Sequence, residues 1–168
     1  NCEVKIKIVP RIYEIINNLV DLEKIRDIEV EDLLGREVKR QDFDAVKEKI
    51  KNKVVIVFGA AGSIGKELCV QILGLYPKKL IVVDWWENGM FNLTERLNSL
   101  QENLEEKSNT KLEFVIGNIQ NKKKIDKIFS KFKPDVIFNA AAYKHVPLME
   151  ENPNEAIENN ILGTKNLF

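Results

Sequence analysis

VVIVFGAAGSIG, residues 54–65, is the stretch that decides the fold of this 168-residue chain. Five apolar residues lead directly into a turn with three glycines, and an amphipathic segment follows, which predicts a buried strand, a tight turn and a helix. We expect Gly59 to permit the turn, Gly62 to let a phosphate approach the backbone, and Gly65 to let the helix pack on the strand. The stretch therefore predicts a dinucleotide-binding site.

The helix after the glycine turn supplies groups that can bind an anion. Its first N–H groups, near Ser63 and Ile64, have no partner within the helix and lie at the positive end of its dipole. The next apolar run, residues 80–83, ends at Asp84, at about the separation from the glycines that a ribose-binding carboxylate has. Asp84 would accept both ribose hydroxyls of NAD and repel the 2′-phosphate of NADP, so we predict NAD rather than NADP. The alternative is that Asp84 only caps the loop before the next helix.

Strands and helices alternate regularly from Lys53 onward. The hydrophobic pattern predicts strands at 53–58, 79–84, 112–117 and 135–139, and helices at 63–75, 88–105, 121–132 and 153–168. Such alternation is typical of α/β proteins whose parallel sheet has helices on both faces. We therefore predict a Rossmann-like, doubly wound parallel sheet of strand order 3-2-1-4, a partial version of that fold.

Residues 1–50 lack this alternation, and we interpret them as an N-terminal helical connecting arm before a Rossmann domain at 51–168. A strand-like run at 4–10 opens the arm, and helical spacing follows at 11–22 and 42–51. The chain starts without methionine and stops within a helical pattern, so we expect it to be part of a longer protein. We expect a fifth strand beyond Phe168 to flank the fourth; without it, the edge of the fourth strand carries unpaired backbone groups, and we expect self-association or fraying along that edge. We also predict a homo-oligomer.

Composition argues against several classes of function. The 26 basic residues balance the 26 acidic ones, so no net field attracts nucleic acid and we predict no nucleic-acid partner. His145 is the single histidine, so no histidine-based metal site can be assembled and we predict no metal. Neither a membrane span nor a signal peptide is visible, and the two cysteines, Cys2 and Cys69, fit a reducing compartment, so we expect a cytoplasmic location.

Polar residues follow the third and fourth predicted strands, at the sheet edge where ligands of open sheets bind. Asn118 offers a donor and an acceptor to adenine, although the same residue also suits an ordinary turn. Lys144 offers a cation to a ribose hydroxyl, a phosphate or a sugar diphosphate; the alternative is a solvated lysine after a packing strand. Asn159 and Asn160 lie in the last helix, and we expect their partners to be either the strand backbone or the cofactor.

Three motifs resemble those of one known family. Residues 59–65 resemble the glycine fingerprint of the extended short-chain dehydrogenases/reductases. Residues 140–150, AAAYKHVPLME, together with 160–166, NILGTKN, closely resemble the CapD-type polysaccharide biosynthesis proteins. Residues 7–10 and 28–37 are similar to the stretch that precedes the catalytic domain in longer members, so the resemblance covers essentially the whole chain.

The resemblance implies an enzyme, a nucleotide-sugar dehydratase, typically a UDP-N-acetylglucosamine 4,6-dehydratase of capsule, O-antigen or surface polysaccharide synthesis. Hydride would pass from sugar C4 to a tightly held nicotinamide, water would leave across C5–C6, and hydride would return to C6. The family's catalytic residues lie beyond Phe168, so we expect this chain to bind cofactor without turnover. The fingerprint and the resemblance together give these cofactor-binding residues: Gly59, Ala61, Gly62, Ser63, Ile64, Gly65, Asp84, Glu87, Asn118, Ile119, Ala140, Ala141, Ala142, Lys144 and Asn159.

The chain departs from the family pattern at Phe58, Asn118 and Trp85, where a threonine, an aspartate and often an arginine are usual. A nucleotide-sugar 4-epimerase on the same scaffold is an alternative reading, as is a noncatalytic NAD-binding module or a structural scaffold that binds no NAD. The resemblance implies a UDP-sugar as the substrate of the full-length protein. Because longer members carry membrane segments, it is also compatible with anchoring of that protein at the inner membrane, with this part on the cytoplasmic face.

Overall fold

The structure, a computed structural model, describes residues 43–104 and 109–168 together with the two short strands β1 (Lys7–Ile8) and β2 (Arg26–Asp27). These two strands pair antiparallel. β1 falls within the strand-like run expected at 4–10, whereas β2 was not predicted. The helical spacing noted at 11–22 and the family-like stretch at 28–37 lie outside the described residues.

The chain divides into two compact units, residues 1–41 and 42–168. The second unit begins with helix α1 (Phe43–Ile50), which agrees with the helical spacing at 42–51. Ile50 at the end of this helix is only 2% exposed and belongs to the hydrophobic core of the second unit. The helix is therefore anchored to the sheet domain that follows it.

Parallel strands form the central sheet of the second unit. In chain order they are β3 (Val54–Phe58), β4 (Lys79–Asp84), β5 (Lys111–Ile116) and β6 (Val136–Asn139). Their spatial order is β5-β4-β3-β6, with Val55 of β3 opposite Leu80 on one side and Val136 on the other. The predicted α/β, Rossmann-like sheet of order 3-2-1-4 is thus confirmed.

Helices follow the strands much as the pattern predicted. They are α2 (Ser63–Leu73), α3 (Glu87–Glu102), α4 (Lys122–Phe132), α5 (Val146–Glu151) and α6 (Pro153–Ala156), which continues into π-helical turns at Ile157–Gly163. α5 was not predicted, because six residues are too few to show a helical period even though Pro147 suits a first turn. None of the helices in the described ranges combines the length and the apolar content needed to cross a membrane.

Two hydrophobic clusters cover the two faces of the sheet. Val55 and Val57 of β3 belong to one cluster, and Ile56 and Phe58 of the same strand belong to the other. All four side chains are fully buried. Because successive side chains of a strand point to opposite faces, the unbroken apolar run of β3 marks a central strand buried on both sides.

The thiol of Cys69 in α2 provides a test of this core. Burial raises the pKa of Cys69 from its ordinary value of 9.0 to about 12, so the reactive thiolate is absent from the folded protein at neutral pH. In a Cys2→Ser variant we expect the remaining thiol to react with a thiol reagent only after denaturant unfolds the protein. Because folding raises this pKa, the thiol's contribution to stability is complete below pH 9.0 and is lost as the pH rises towards about 12. Fast reaction without denaturant would contradict the burial of Cys69.

Candidate functional site

A cavity of about 420 Å³ opens at the carboxyl ends of the parallel strands, within the size range of small-molecule and cofactor sites. Each strand contributes the residues that directly follow it, as expected for an open sheet. The lining residues are Gly59, Gly62, Asp84, Trp85, Trp86, Gly117, Asn118, Ile119, Ala140, Ala141, Ala142, Tyr143 and Asn159.

The glycine turn after β3 has the geometry expected from the sequence. Gly59 has a φ of +70°, and a Cβ on it would overlap the backbone of Ala140 and Ala141. A Cβ on Gly65 would overlap the carbonyl oxygen of Gly59. Gly62 is exposed, and an added Cβ would have only the Gly59 oxygen, 3.3 Å away, near it. The turn and the close helix packing are therefore present, while approach of a phosphate to Gly62 stays a prediction.

The start of α2 presents unpaired N–H groups at this turn. Lys66 donates the first helical hydrogen bond, to the carbonyl oxygen of Gly62 at 2.9 Å. The N–H groups of residues 63–65 precede that bond and have no hydrogen-bond partner in the described part of the chain. Ser63 and Ile64 are exposed, so this end of the helix lies at the protein surface. Such a row of donors at the positive end of a helix is suited to a phosphate group.

Asp84, at the end of β4, links two loops through its carboxylate. Its Oδ2 accepts a hydrogen bond from the N–H of Ala61 at 2.9 Å, and its Oδ1 accepts one from the N–H of Trp86 at 2.9 Å. The residue is only 7% exposed but lines the cavity. The alternative of a loop-capping role is thus present in the structure. A carboxylate has about four acceptor positions, so contact with ribose hydroxyls stays a prediction.

The two tryptophans after Asp84 stand at the mouth of the cavity. Trp85 is 58% exposed and Trp86 48% exposed, although both line the cavity. The ring of Trp86 lies against Gly89, where a Cβ would overlap it, and Lys66 Nζ lies 5.4 Å from its ring centroid. Trp86 is therefore held between α2 and α3.

Asn118 and Ile119 form the wall beyond β5. Asn118 Oδ1 accepts a hydrogen bond from the N–H of Gln120 at 2.9 Å, so its side chain also stabilises a local turn. Ile119 is buried, and its carbonyl oxygen accepts a hydrogen bond from Asn166 Nδ2 at 2.9 Å. Gly163 of the π-helical turns packs against Ile119, because a Cβ on Gly163 would lie 2.8 Å from Ile119 Cγ1. The last helix thus holds this wall in place.

The loop after β6 forms the opposite wall. Asn160 Oδ1 accepts a hydrogen bond from the N–H of Tyr143 at 2.9 Å, and Asn160 Nδ2 donates to the carbonyl oxygen of Tyr143 at 2.9 Å. Asn159, only 5% exposed, donates through Nδ2 to the carbonyl oxygen of Ala141 at 3.4 Å. The partners expected for these asparagines were the strand backbone or the cofactor. The structure shows backbone groups, which lie in the loop directly after β6.

The cavity brings together most of the residues expected from the sequence, but not all. Ala61 and Gly65 are buried in and beneath the glycine turn, and Ser63, Ile64, Glu87 and Lys144 are exposed outside the lining. Tyr143 is a lining residue that was not predicted from the sequence, although its position between Ala142 and Lys144 after a strand was a signal. In the ranges 43–104 and 109–168, no group of three or more acidic, cysteine or histidine side chains could hold a metal ion.

Comparisons with known proteins agree with this architecture. The polysaccharide biosynthesis protein family matches residues 55–168. The capsular polysaccharide biosynthesis protein CapD of Staphylococcus aureus is 40% identical over 161 residues, which cover 95% of this chain and 26% of CapD. The chain therefore spans about a quarter of the length of that relative.

Solved structures show the same fold. Pen from Bacillus thuringiensis is 32% identical, with a TM-score of 0.61 over 71% of this chain and 34% of Pen. UDP-glucose 4-epimerase of Thermus thermophilus, solved in complex with NAD, is 26% identical, with a TM-score of 0.51 over 67% of this chain and 32% of the epimerase. The resemblance inferred from the glycine turn and the segment around Lys144 is confirmed: the chain belongs to the polysaccharide biosynthesis protein family.

Proposed function

We propose that this chain is the NAD-binding part of a nucleotide-sugar 4,6-dehydratase of the UDP-N-acetylglucosamine type, which acts in the synthesis of capsule or another surface polysaccharide. The observation that carries the proposal is the row of unpaired N–H groups at residues 63–65, beside the open side of Gly62 and the cavity. This arrangement suits the diphosphate of a dinucleotide. The NAD complex of the related epimerase supports the choice of cofactor.

Each wall of the cavity has its own part in this proposal. The amides of residues 63–65 bind the diphosphate, and Asp84 and Glu87 lie on the side of the adenosine ribose. Asn118 and Ile119 border the adenine. The alanines at 140–142 leave a flat surface beside the nicotinamide, with Lys144 and Asn159 near the ribose and the sugar. When bound, the nicotinamide supplies an acceptor for the hydride from sugar C4, and the protein's amides and side chains bind and orient both molecules.

The full-length protein, in this proposal, takes a UDP-sugar as substrate, works on the cytoplasmic side of the membrane and forms a homo-oligomer. No catalytic residue is assigned within this chain, so we propose that it binds cofactor without turnover.

A nucleotide-sugar 4-epimerase is the second candidate, favoured by the likeness to the Thermus epimerase. Both activities use the same cofactor site, so the chain's own residues do not separate them. Product analysis of the full-length protein does: a 4-keto-6-deoxy sugar nucleotide indicates the dehydratase, and a C4 epimer indicates the epimerase. A noncatalytic NAD-binding module would bind NAD and show no affinity for UDP-sugars.

Binding of NADH gives a direct test, because the two tryptophans of the chain, Trp85 and Trp86, both line the cavity. We expect titration with NADH to quench tryptophan emission and to excite NADH fluorescence by energy transfer, with saturation at one site. NAD should compete at least about tenfold better than NADP, because the Asp84 carboxylate repels the extra phosphate. Absence of saturable transfer, with the protein shown to be folded, would count against a cofactor site.

A further inference from the structure

Asn160 makes an unusual contact with the loop that forms the β6 side of the cavity. Residues 140–145 have no regular secondary structure, although the N–H of Ala140 still donates to the Phe58 carbonyl oxygen of β3 at 2.8 Å. The side-chain amide of Asn160 takes the place of a strand neighbour at Tyr143, where it accepts from the N–H and donates to the carbonyl oxygen, both at 2.9 Å. This two-point contact holds both backbone groups of Tyr143, which belong to the two successive peptides on either side of its Cα.

The π-helical turns at Ile157–Gly163 let two successive asparagines face the same loop. Asn159 Nδ2 donates to Asn160 Oδ1 at 2.9 Å and to the carbonyl oxygen of Ala141 at 3.4 Å. The two side chains thus form one connected unit that holds Ala141 and Tyr143, both of which line the cavity. π-Helical turns are rare and are often found at functional sites. Their presence beside the loop therefore indicates a functional role for the loop that the two asparagines hold.

The loop lies on the nicotinamide side of the proposed cofactor site. In the spatial order β5-β4-β3-β6, Asp84 and Asn118 follow strands on one side of β3, and the loop follows β6 on the other. A dinucleotide crosses an open sheet of this kind where the strand order reverses, with one nucleotide on each side. The acid at the end of β4 marks the adenosine side, which leaves the β6 loop for the second nucleotide.

We infer that Asn160 is a positioning residue for the nicotinamide half of the cofactor. It holds the N–H and the carbonyl oxygen of Tyr143, so that residues 141–143 form a fixed wall and the backbone of Lys144 leaves the loop in a fixed direction. The inference rests on the proposed NAD-binding function. A positioning role differs from a purely structural role in what its loss affects. Loss of a positioning residue weakens binding of the nicotinamide half of the cofactor, whereas loss of a structural residue lowers the stability of the sheet.

Comparison of AMP with NAD tests the inference, because AMP contacts only the adenosine side. In an Asn160→Asp variant the acceptor for the Tyr143 N–H remains, but a carboxylate oxygen replaces the donor and faces a carbonyl oxygen. We expect the affinity for NAD to fall about tenfold and the affinity for AMP to change less than about twofold. An Asn160→Ser variant removes the contact without adding charge. It should likewise lose affinity for NAD but not for AMP, and it serves as the test if the aspartate variant does not fold.

Asn152→Asp is the matched control, since Asn152 Nδ2 donates to the Leu148 carbonyl oxygen at 2.9 Å on an exposed surface outside the cavity lining. Both affinities should stay unchanged in this variant. If a folded Asn160 variant lost AMP and NAD binding in parallel, or lost neither, the positioning role would be overturned while the proposed function stood. If the unmodified chain bound no NAD, the proposed function itself would fail, and this inference with it.

Discussion

Replacement of Gly59 by alanine is expected to lower the free energy of unfolding by about 3 kcal/mol. The φ of Gly59 is +70°, a conformation that costs a residue with a Cβ about 1–2 kcal/mol. The added Cβ would also overlap the backbone of Ala140 and Ala141, which cannot give way unless the end of β6 moves. Overpacking of this kind adds about 1–3 kcal/mol. Denaturant unfolding, followed by circular dichroism, measures the loss.

Gly62→Ala is the matched control, because it adds the same methyl group three residues further along the turn. Gly62 has an ordinary φ of −71°, and the added Cβ would meet only the Gly59 carbonyl oxygen, at 3.3 Å. We expect stability to change by less than about 1 kcal/mol and NADH affinity to fall at least about tenfold, since the methyl group would occupy space meant for a phosphate. Equal destabilisation by both substitutions, or full affinity in Gly62→Ala, would show that the two glycines do not have separate roles.

The sheet could be predicted from the sequence because β3 is apolar along its whole length and β4 is apolar between Lys79 and Asp84. Val54–Phe58 and residues 79–84 were placed within a residue of their observed bounds, and a strand buried on both faces produces just such a run. The pairing of Arg26–Asp27 with β1 was not predicted, since two residues carry no periodic signal. Helix α5 was missed for the same reason.

The position of the site could also be predicted, but its hydrogen-bond partners could not. The carboxyl ends of parallel strands meet at one edge of a sheet, so residues after β3, β4, β5 and β6 had to come together there. The partners depend on loop conformation, which hydrophobic periodicity does not encode. Asp84 reaches the N–H of Ala61, and Asn160 reaches the N–H of Tyr143, across loops whose course only the structure gives.

An Asp84→Asn substitution is expected to destabilise the chain by about 2 kcal/mol even when no cofactor is present. In the protein as it stands, each carboxylate oxygen accepts one backbone N–H, from Ala61 and from Trp86. Asparagine offers one oxygen and one NH₂ group, so one of these N–H groups would face another donor. Ala61 is 1% exposed, so its N–H cannot turn to water instead. Hydrogen bonds to a charged group contribute about 1.5–3 kcal/mol, and the loss should appear as a lower denaturant midpoint.

Asp126→Asn on α4 is a control that removes a carboxylate charge without removing the hydrogen bonds that Asp84 accepts from Ala61 and Trp86. Asp126 is exposed and pairs with Lys122 at 3.2 Å, a surface pair that contributes at most about 1 kcal/mol. We expect its neutralisation to leave the denaturant midpoint nearly unchanged. If Asp84 acted only as a ligand for ribose, Asp84→Asn would likewise unfold at the midpoint of the unmodified chain and lose only NADH affinity. A lower midpoint together with weaker NADH binding would instead show that one carboxylate both joins the glycine turn to the start of α3 and serves the cofactor site.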